Sequence, residues 1–216
     1  MNIVLIGPPA SGKGTQASKL AKTLNLYHFQ TGQLARDLAQ KDPRIRKIVD
    51  SGELIPQKEM TKYVIYYLKT HLTKPDGIVF EGYPRFISQY KDLKEFLVDK
   101  GGDIDVVISL MVGEEEAVKR ISSRRVCSKC GRVYNLITNP PPQGDKCECG
   151  GKLVQREDDE PESVRTRFQY YHDNTKELVN FLQKKGLLIS VDGERSIEAI
   201  NKDLIKIVER RIGGKD

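Results

Sequence analysis

The sequence lacks any apolar run long enough to cross a membrane. Its longest such runs, Ile3–Ile6 and Val106–Val112, are far shorter than the roughly 20 residues that a bilayer requires. We also expect no secretory signal, because Met1 leads into a short apolar run with no basic segment before it. We therefore expect a cytoplasmic protein that does not associate with membranes.

Tryptophan is absent and histidine is scarce. The three histidines, His28, His71 and His172, show no metal-ligand spacing, so we interpret them as surface or packing residues. The rest of the composition, 38% hydrophobic and 31% charged, excludes collagen-like, mucin-like and fully disordered chains. A chain of 216 residues is long enough for one domain with a substantial core.

The positive charge is concentrated in one segment. The whole chain has 36 Lys and Arg against 30 Asp and Glu, a net charge of +6. Residues 120–156 contain eight basic and two acidic residues, which is also a net +6 (8 − 2). A local basic cluster indicates an anionic partner, which could be phosphate groups, nucleic acid or an acidic protein.

Strand and helix signals alternate along the chain, which is typical of a parallel sheet covered by helices on both faces. A compact insertion at about 126–158 interrupts this alternation and is followed by a helical apolar stripe that begins at Pro161. The predicted strands are Asn2–Ile6, Tyr27–Gln30, Gly77–Glu81, Val106–Val112 and Leu187–Val191, and a helix is predicted from about Glu114 to Arg125. The sequence therefore predicts an α/β fold.

A glycine-rich segment follows the first predicted strand and opens a helix. The segment Gly7–Thr15 ends in Gly12-Lys13-Gly14-Thr15, which is the context that a phosphate-binding loop requires. In such a loop, backbone N–H groups and the positive end of the helix surround a nucleotide phosphate, and the lysine extends toward the transferred phosphate. A glycine-rich turn without a ligand is the alternative. Thr15, rather than the residue directly after Lys13, carries the hydroxyl expected near magnesium.

All four cysteines lie in the basic segment. Cys127 and Cys130 form one close pair, and Cys147 and Cys149 form a second. Two close pairs separated by a loop predict a closed tetrahedral zinc site of the structural kind. Reduced free thiols or a disulfide are the alternatives. The second pair is spaced Cys-x-Cys instead of the usual Cys-x2-Cys, and Gly150-Gly151 can accommodate the unusual turn.

Together these motifs resemble the adenylate kinase family along essentially the whole chain. Gly12-Lys13-Gly14-Thr15 is similar to its phosphate loop, and Glu81-Gly82-Tyr83-Pro84-Arg85 resembles its Asp-Gly-Phe-Pro-Arg motif. Further positions match the family in order and separation. They are Thr31-Gly32, Arg36, Gln89, Arg120, Arg124, Arg156 with Asp158-Asp159 after it, Arg167, and Val191-Asp192-Gly193.

The resemblance implies the reaction ATP + AMP = 2 ADP, dependent on Mg²⁺, catalysed by positioning and charge neutralisation without a covalent enzyme intermediate. It implies that the catalytic residues are Lys13, Arg85, Arg124, Arg156 and Arg167. The implied ATP site is Gly12, Lys13, Gly14, Thr15, Arg120, Arg124 and Tyr134, and the implied AMP site is Thr31, Gly32, Arg36, Gly82, Arg85, Gln89, Arg156 and Arg167.

The resemblance also implies an organisation in three parts and a zinc-bearing lid of the long type. The P-loop core would comprise residues 1–30, 61–123 and 161–216, with an AMP-binding flap at 31–60 and a zinc lid at 124–160. We expect a monomer whose partners are the nucleotides ATP, AMP and ADP, and not nucleic acid.

Three positions in the phosphate-binding region depart from the family pattern. Gln33 stands where an aspartate is usual, and Glu81 replaces the aspartate of the motif. These acids hold water molecules around Mg²⁺ in relatives; Glu81 could still reach such a water, whereas Gln33 supplies no charge. Ala10 takes the place of a third loop glycine, and we therefore predict that its φ is not positive.

Two other functions fit parts of the sequence. A kinase for another small acceptor, such as UMP, would share the phosphate loop, but kinases for UMP and CMP typically have a short lid without cysteines. A zinc-ribbon nucleic-acid binder would explain the basic cysteine segment. That segment offers one aromatic residue, Tyr134, whereas single-strand binders usually present several stacking platforms.

Overall fold

The computed structural model describes residues 1–72, 76–142, 144–156, 159 and 161–213. Its strands are β1 (Asn2–Ile6), β2 (Tyr27–Gln30), β3 (Ile78–Glu81), β4 (Val106–Met111), β5 (Arg124–Cys127), β6 (Val133–Asn135), β7 (Leu153–Val154) and β8 (Leu188–Asp192). Its helices are α1 (Lys13–Leu24), α2 (Thr31–Ala39), α3 (Pro43–Asp50), α4 (Gln57–His71), α5 (Ile87–Val98), α6 (Glu114–Ser122), α7 (Pro161–Tyr170), α8 (Lys176–Lys184) and α9 (Ile197–Gly213).

Five strands form one parallel sheet in the order β2-β3-β1-β4-β8. The predicted α/β fold with a parallel sheet is therefore confirmed. The central strand β1 is buried along its whole length. Because all the strands run the same way, their carboxyl ends lie along one edge, which is where ligands bind in sheets of this kind.

Apolar residues of β1 alternate between two cores, one on each face of the sheet. Ile3 and Leu5 pack into a cluster with residues of α1 and α9. Val4 and Ile6 pack into the opposite cluster, which includes Leu93 of α5 and other residues of α4 and α8. The period of two along a strand places successive side chains on opposite faces, so this strand supports helices on both sides.

The insertion forms a small antiparallel sheet in the order β6-β5-β7. The helix predicted to run as far as Arg125 was too long: α6 ends at Ser122, and Arg124 already begins β5. Arg124 and Arg125 pair with Asn135 and Tyr134 of β6, so strand pairing replaces further helical hydrogen bonds at these positions.

The helical stripe after Pro161 is not one uniform α-helix. A single wide π turn at Tyr171–Thr175 separates α7 from α8. Before this turn, Val164 and Phe168 pack on Ala117 and Ile121 of α6. Among the described residues, none of the helices is both long enough and apolar enough to cross a bilayer.

Candidate active site

A cleft of about 950 Å³ opens at the carboxyl ends of β1 and β3. It brings together most of the residues that the sequence singled out. Those that line it are Gly12, Lys13, Gly14, Thr15, Gly32, Arg36, Glu81, Gly82, Arg85, Arg120, Arg124, Tyr134, Arg156 and Arg167. Seven of these are cationic, so the cleft is suited to a ligand with several negative charges.

The glycine-rich loop leaves the buried end of β1 and enters α1 at Lys13. Gly12 has a φ of +86°, a conformation that glycine adopts at no steric cost. Gln16 N donates to Gly12 O at 3.0 Å, which closes the first helical turn. The loop N–H groups and the positive end of α1 therefore meet at the cleft, and this arrangement binds phosphate in other proteins.

The backbone conformation of Ala10 differs from the one predicted from the sequence. Its φ is +56°, so the left-handed conformation of the loop is kept although the residue is not glycine. The prediction that φ is not positive here was wrong. The neighbouring residues of the loop set the backbone path at this position. Alanine has the smallest side chain other than glycine and can adopt the left-handed conformation at a cost of about 1–2 kcal/mol.

The side chain of Lys13 folds over its own loop. Its Nζ donates to Pro8 O at 2.7 Å and lies 3.5 Å from Ser11 Oγ. Burial lowers the pKa of Lys13 to about 7, with a further lowering from the nearby cations Arg85, Arg167 and Arg124, while Glu81 opposes this shift. A negatively charged ligand would reverse these effects, since it stabilises the ammonium form.

The Glu81 carboxylate lies against the phosphate loop. A Cβ built on Gly14 would be 3.0 Å from Glu81 Oε1, so a larger residue at position 14 would displace this carboxylate. Burial disfavours ionisation of Glu81, but the hydrogen bond from His28 and the charges of Lys13 and Arg156 lower its pKa overall. The carboxylate is therefore ionised at neutral pH, within the cleft.

The residues expected at the acceptor nucleotide are held by hydrogen bonds that each involve a backbone atom. Arg85 Nε donates to Gly82 O at 2.9 Å, and Arg85 N donates to Gln89 Oε1 at 3.0 Å. Thr31 and Gln89 are buried and sit directly behind the residues that line the cleft. Thr31 Oγ1 donates to Glu81 O at 3.0 Å, and Gln89 Nε2 to Gln57 O at 3.2 Å. Burial lowers the pKa of Arg85 to about 10, which leaves it charged at neutral pH.

Gln33 accepts a hydrogen bond from Arg36 and provides no carboxylate at this position. Arg36 donates from one terminal nitrogen to Gln33 Oε1 at 2.9 Å, while Gln33 Nε2 donates to Asp37 Oδ1 at 2.8 Å. The departure from the family pattern at position 33 thus has a structural use, because a neutral amide can accept from Arg36 and donate to Asp37 at once.

On the opposite wall, the arginines are anchored by acids and carbonyl oxygens. Arg120 donates to Glu116 Oε1 and to Gly193 O, both at 2.8 Å. Arg124 Nε donates to Asp159 Oδ2 at 2.7 Å, and Arg167 lies 3.8 Å from the same fully buried carboxylate. Asp158, which the sequence motif also includes, lies outside the described residues.

The four cysteines come together in the small sheet. Their Sγ atoms all lie within 4.8 Å of one another, with Cys127 Sγ 3.4 Å from Cys149 Sγ and Cys130 Sγ 3.6 Å from Cys147 Sγ. The backbone N–H groups of Lys129 and Cys130 point at Cys127 Sγ at 3.4 and 3.5 Å. Four sulfur ligands with supporting N–H donors fit a tetrahedral zinc ion.

The short Cys-x-Cys turn does not prevent this clustering. Gly150 has a φ of +77°, and a Cβ built on Gly151 would be 2.5 Å from Cys127 Sγ. Two glycines after Cys149 therefore allow the chain to pass close to the sulfur atoms. Tyr134 is buried here, with its hydroxyl 3.3 Å from Cys147 Sγ, so it supports the cysteine cluster as well as lining the cleft.

The contact that His28 makes at the cleft was not predicted from the sequence. His28 was expected to be a surface or packing residue, but its Nε2 lies 3.0 Å from Glu81 Oε2 in the wall of the cleft. Spacing along the chain gives no sign of this contact, since His28 and Glu81 are 53 residues apart and meet because β2 and β3 are parallel neighbours. His71 and His172 are exposed, as expected.

The fold and the cleft define a class: a P-loop protein that binds phosphorylated ligands with a loop at the end of the central strand and a ring of arginines opposite. Comparison with known proteins gives the family. The adenylate kinase family profile matches residues 5–187. Adenylate kinases of Thermosipho africanus and Archaeoglobus fulgidus are 41% and 40% identical to this chain over 97% of its length, and 100% and 99% of theirs.

A third relative, the adenylate kinase of Methanothrix thermoacetophila, is 39% identical over 97% of this chain and 99% of its own. The chain belongs to the adenylate kinase family. It is accordingly a phosphotransferase of the nucleoside monophosphate kinase class.

Proposed function

We propose that the cleft catalyses the reversible, Mg²⁺-dependent transfer of a phosphoryl group from ATP to AMP, giving two molecules of ADP. The observation that supports this most strongly is the convergence of the phosphate loop with seven cationic side chains on one cavity. Two nucleotides that meet end to end bring several negative charges together, and a cleft of this charge would stabilise them.

The donor nucleotide would occupy the phosphate loop and the arginine wall. The N–H groups of Gly12, Gly14 and Thr15 would surround its phosphates, with Lys13 released from Pro8 to contact the transferred group. Arg120 and Arg124 would hold the donor from the other side, together with Tyr134, which lines the same cleft. Planar guanidinium groups bind phosphate oxygens in pairs, which fixes orientation as well as charge.

The acceptor would occupy the side of the cleft formed by α2 and the end of β3. Arg36 and Arg85 would bind the AMP phosphate, and Arg156 and Arg167 would lie between the two nucleotides. The backbone at Gly32 and Gly82 leaves room for close approach, while the buried Thr31 and Gln89 support this wall.

The transfer itself needs no nucleophile from the protein. An oxygen of the AMP phosphate would attack the γ-phosphorus of ATP, and the bond from that phosphorus to the bridging oxygen would break, which leaves ADP on both sides. The protein aligns the two groups, excludes water and neutralises charge. Mg²⁺ bound to the ATP phosphates would add charge stabilisation, and the hydroxyl of Thr15 and the carboxylate of Glu81 offer the oxygen ligands or water contacts that this ion prefers.

A zinc ion held by Cys127, Cys130, Cys147 and Cys149 would have a structural role. The four sulfurs leave no open coordination position for a substrate, which is the arrangement of structural sites. Among the described residues, apolar packing in this small sheet is limited to a cluster of Cys127, Tyr134, Cys147 and the partly buried Leu153. Metal binding would therefore supply folding energy that so small a core does not.

We further propose the three-part organisation expected from the sequence: a core (1–30, 61–123 and 161–216), an AMP-binding flap (31–60) and a zinc lid (124–160). Closure of the flap and lid over bound nucleotides would keep water from accepting the phosphoryl group. The protein would act as a monomer in the cytoplasm on nucleotides.

The test is an ADP-forming assay with purified protein, Mg²⁺ and ATP, offering AMP, GMP, CMP and UMP in parallel. We expect AMP to be the preferred acceptor; preference for UMP or CMP would assign a different acceptor, and no ADP with any of them would refute the kinase function. Binding to single-stranded oligonucleotides is measured alongside. Affinity that survives physiological salt would favour the nucleic-acid alternative, since purely electrostatic binding falls steeply with salt.

A further inference from the structure

Three side chains of the neighbouring strands β2 and β3 form a hydrogen-bonded chain beside the cleft, which two of them, Gln30 and Glu81, line. His28 Nε2 lies 3.0 Å from Glu81 Oε2, and Gln30 Nε2 lies 3.0 Å from His28 Nδ1. The strand register places Gln30 beside Glu81 and His28 beside Val79. The chain therefore runs from one strand through an imidazole ring to the carboxylate on the next.

The chemistry of these groups fixes the direction of each hydrogen bond. An ionised carboxylate can only accept, so His28 Nε2 carries the hydrogen and donates to Glu81. In a neutral imidazole the other nitrogen then accepts, and the amide nitrogen of Gln30 is positioned to donate to it. Both contacts are satisfied by the Nε2–H tautomer, which the Glu81 carboxylate requires and with which a donating Gln30 amide is compatible.

Glu81 needs such support because of its length and its surroundings. Glutamate has one more rotatable bond than the aspartate of the family motif. Its Oε1 lies 3.0 Å from the place of a Cβ at Gly14, in a narrow space against the phosphate loop. The hydrogen bond at Oε2 restricts the side chain to this space and leaves Oε1 beside the loop. Gln33 carries no charge, so of the two acidic positions of the family pattern only that of Glu81 keeps a carboxylate.

We propose that His28 is a positioning residue for phosphoryl transfer: it fixes the Glu81 carboxylate against the phosphate loop, and Gln30 holds the imidazole in place through its contact with Nδ1. The role rests on the proposed function of the cleft. His28 itself needs no contact with either nucleotide, since it acts through Glu81.

A double-mutant cycle tests this role. We expect His28→Leu to lower kcat at saturating ATP and AMP about tenfold, the usual effect of removing a hydrogen bond to a charged group, and to raise the Mg²⁺ concentration needed for half-maximal rate. In a Glu81→Asp background the same substitution should change kcat less than twofold, because the shorter carboxylate no longer reaches the imidazole. Equal effects in both backgrounds would overturn the proposal.

Two further variants separate positioning from general stability. His28→Gln can place an amide N–H near the position of Nε2 and should recover most of the lost rate. His71→Leu, at an exposed histidine of α4, should leave the rate unchanged. ATP affinity measured without metal should be the same for His28→Leu and the wild-type protein; a parallel loss of this affinity and of folding would indicate a structural role only.

Nitrogen-15 NMR of the imidazole, in protein free of metal and nucleotide, gives a readout independent of activity. We expect the Nε2–H tautomer for His28, with its resonances shifted by Gln30→Leu and by Glu81→Gln. An Nδ1–H tautomer would contradict the proposed hydrogen bonds. If wild-type protein forms no ADP, the proposed function and the kinetic role of His28 fail together, whereas additivity in an active enzyme removes the role of His28 alone.

Discussion

The side-chain nitrogen of Lys13 lies 2.7 Å from the carbonyl oxygen of Pro8, within the same loop. The loop thus provides its own acceptor for this ammonium group before any nucleotide binds. Phosphate oxygens are stronger partners than a neutral carbonyl, because both partners are then charged. Binding of ATP would draw Lys13 away from Pro8 and toward the phosphates.

Lys13→Met should therefore lower kcat by about 10²–10³-fold, the usual cost of removing one group that stabilises developing charge in the transition state. Circular dichroism and the melting temperature should change little, since methionine fills most of the same volume. Lys22→Met, on the exposed face of α1, is the control and should retain full activity. Near-normal turnover in the Lys13 variant would show that this residue has no role in transfer.

ATP binding should take up a proton at mildly alkaline pH. With a pKa of about 7 in the free protein, Lys13 is roughly nine-tenths neutral at pH 8. Bound phosphates raise this pKa, so binding at pH 8 should absorb nearly one proton from solution, and binding at pH 5.5 almost none from this group. Calorimetry in two buffers of different ionisation enthalpy measures the uptake, and Lys13→Met should abolish it. An uptake that persists in this variant would come from another group.

Ala10→Gly should not destabilise the protein. Removing the Cβ relieves the strain of a left-handed alanine and so stabilises the folded state by about 1–2 kcal/mol. The greater entropy of glycine in the unfolded chain opposes this by about 0.5–1 kcal/mol. The melting temperature should stay the same or rise. Ala199→Gly in α9 is the matched control and should lower stability by about 1 kcal/mol. An equal loss in both variants would mean that position 10 carries no strain.

Asp159→Asn should be strongly destabilising, because it leaves Arg124 and Arg167 beside a buried group without its charge. Breaking a buried ion pair from one side costs about 3–5 kcal/mol. Chemical denaturation measures the loss, and Asp173→Asn at an exposed acid should cost less than about 0.5 kcal/mol. A small effect at Asp159 would show that the arginines are held by other contacts.

Removal of the proposed zinc ion should lower the melting temperature without changing any nucleotide contact directly. Each kcal/mol lost lowers it by roughly 2–4 °C in a chain of this size, so we expect a drop of about 5 °C or more with a chelator or with Cys130→Ser. Ser128→Ala, in the same turn, is the control. Elemental analysis should find one zinc ion per chain, and a protein without zinc that does not respond to chelators would disprove the metal site.

Much of this fold was predictable from the sequence, because buried strands and phosphate loops have strong local signals. β1 and β4 are almost entirely apolar and stand directly before turns, so their positions follow from composition alone. The phosphate loop was recognisable because its lysine and glycines follow a strand and precede a helix. The arginines of the cleft could be predicted only through the family resemblance, since a single arginine is usually a surface residue.

The features that were missed depend on contacts between distant segments. The helix predicted as far as Arg125 gives way to β5 because Arg124 and Arg125 pair with β6. His28 and Glu81 meet across two parallel strands, and nothing in the spacing of either indicates the other. The conformation of Ala10 is imposed by its loop, against the local preference of alanine. In each case tertiary structure overrides the local pattern.

The π turn at Tyr171–Thr175 divides a long helical segment into two parts, α7 and α8, that pack against different elements. The wider turn inserts an additional residue, and this rotates everything beyond it relative to what came before. Phe168 can then remain on the outer helix α6 while Leu178 and Leu182 enter the central core. The part before the π turn carries Arg167, and the part after it packs on the sheet. Because the two parts pack separately, residues on one surface can be substituted without changing the helical phase of the other.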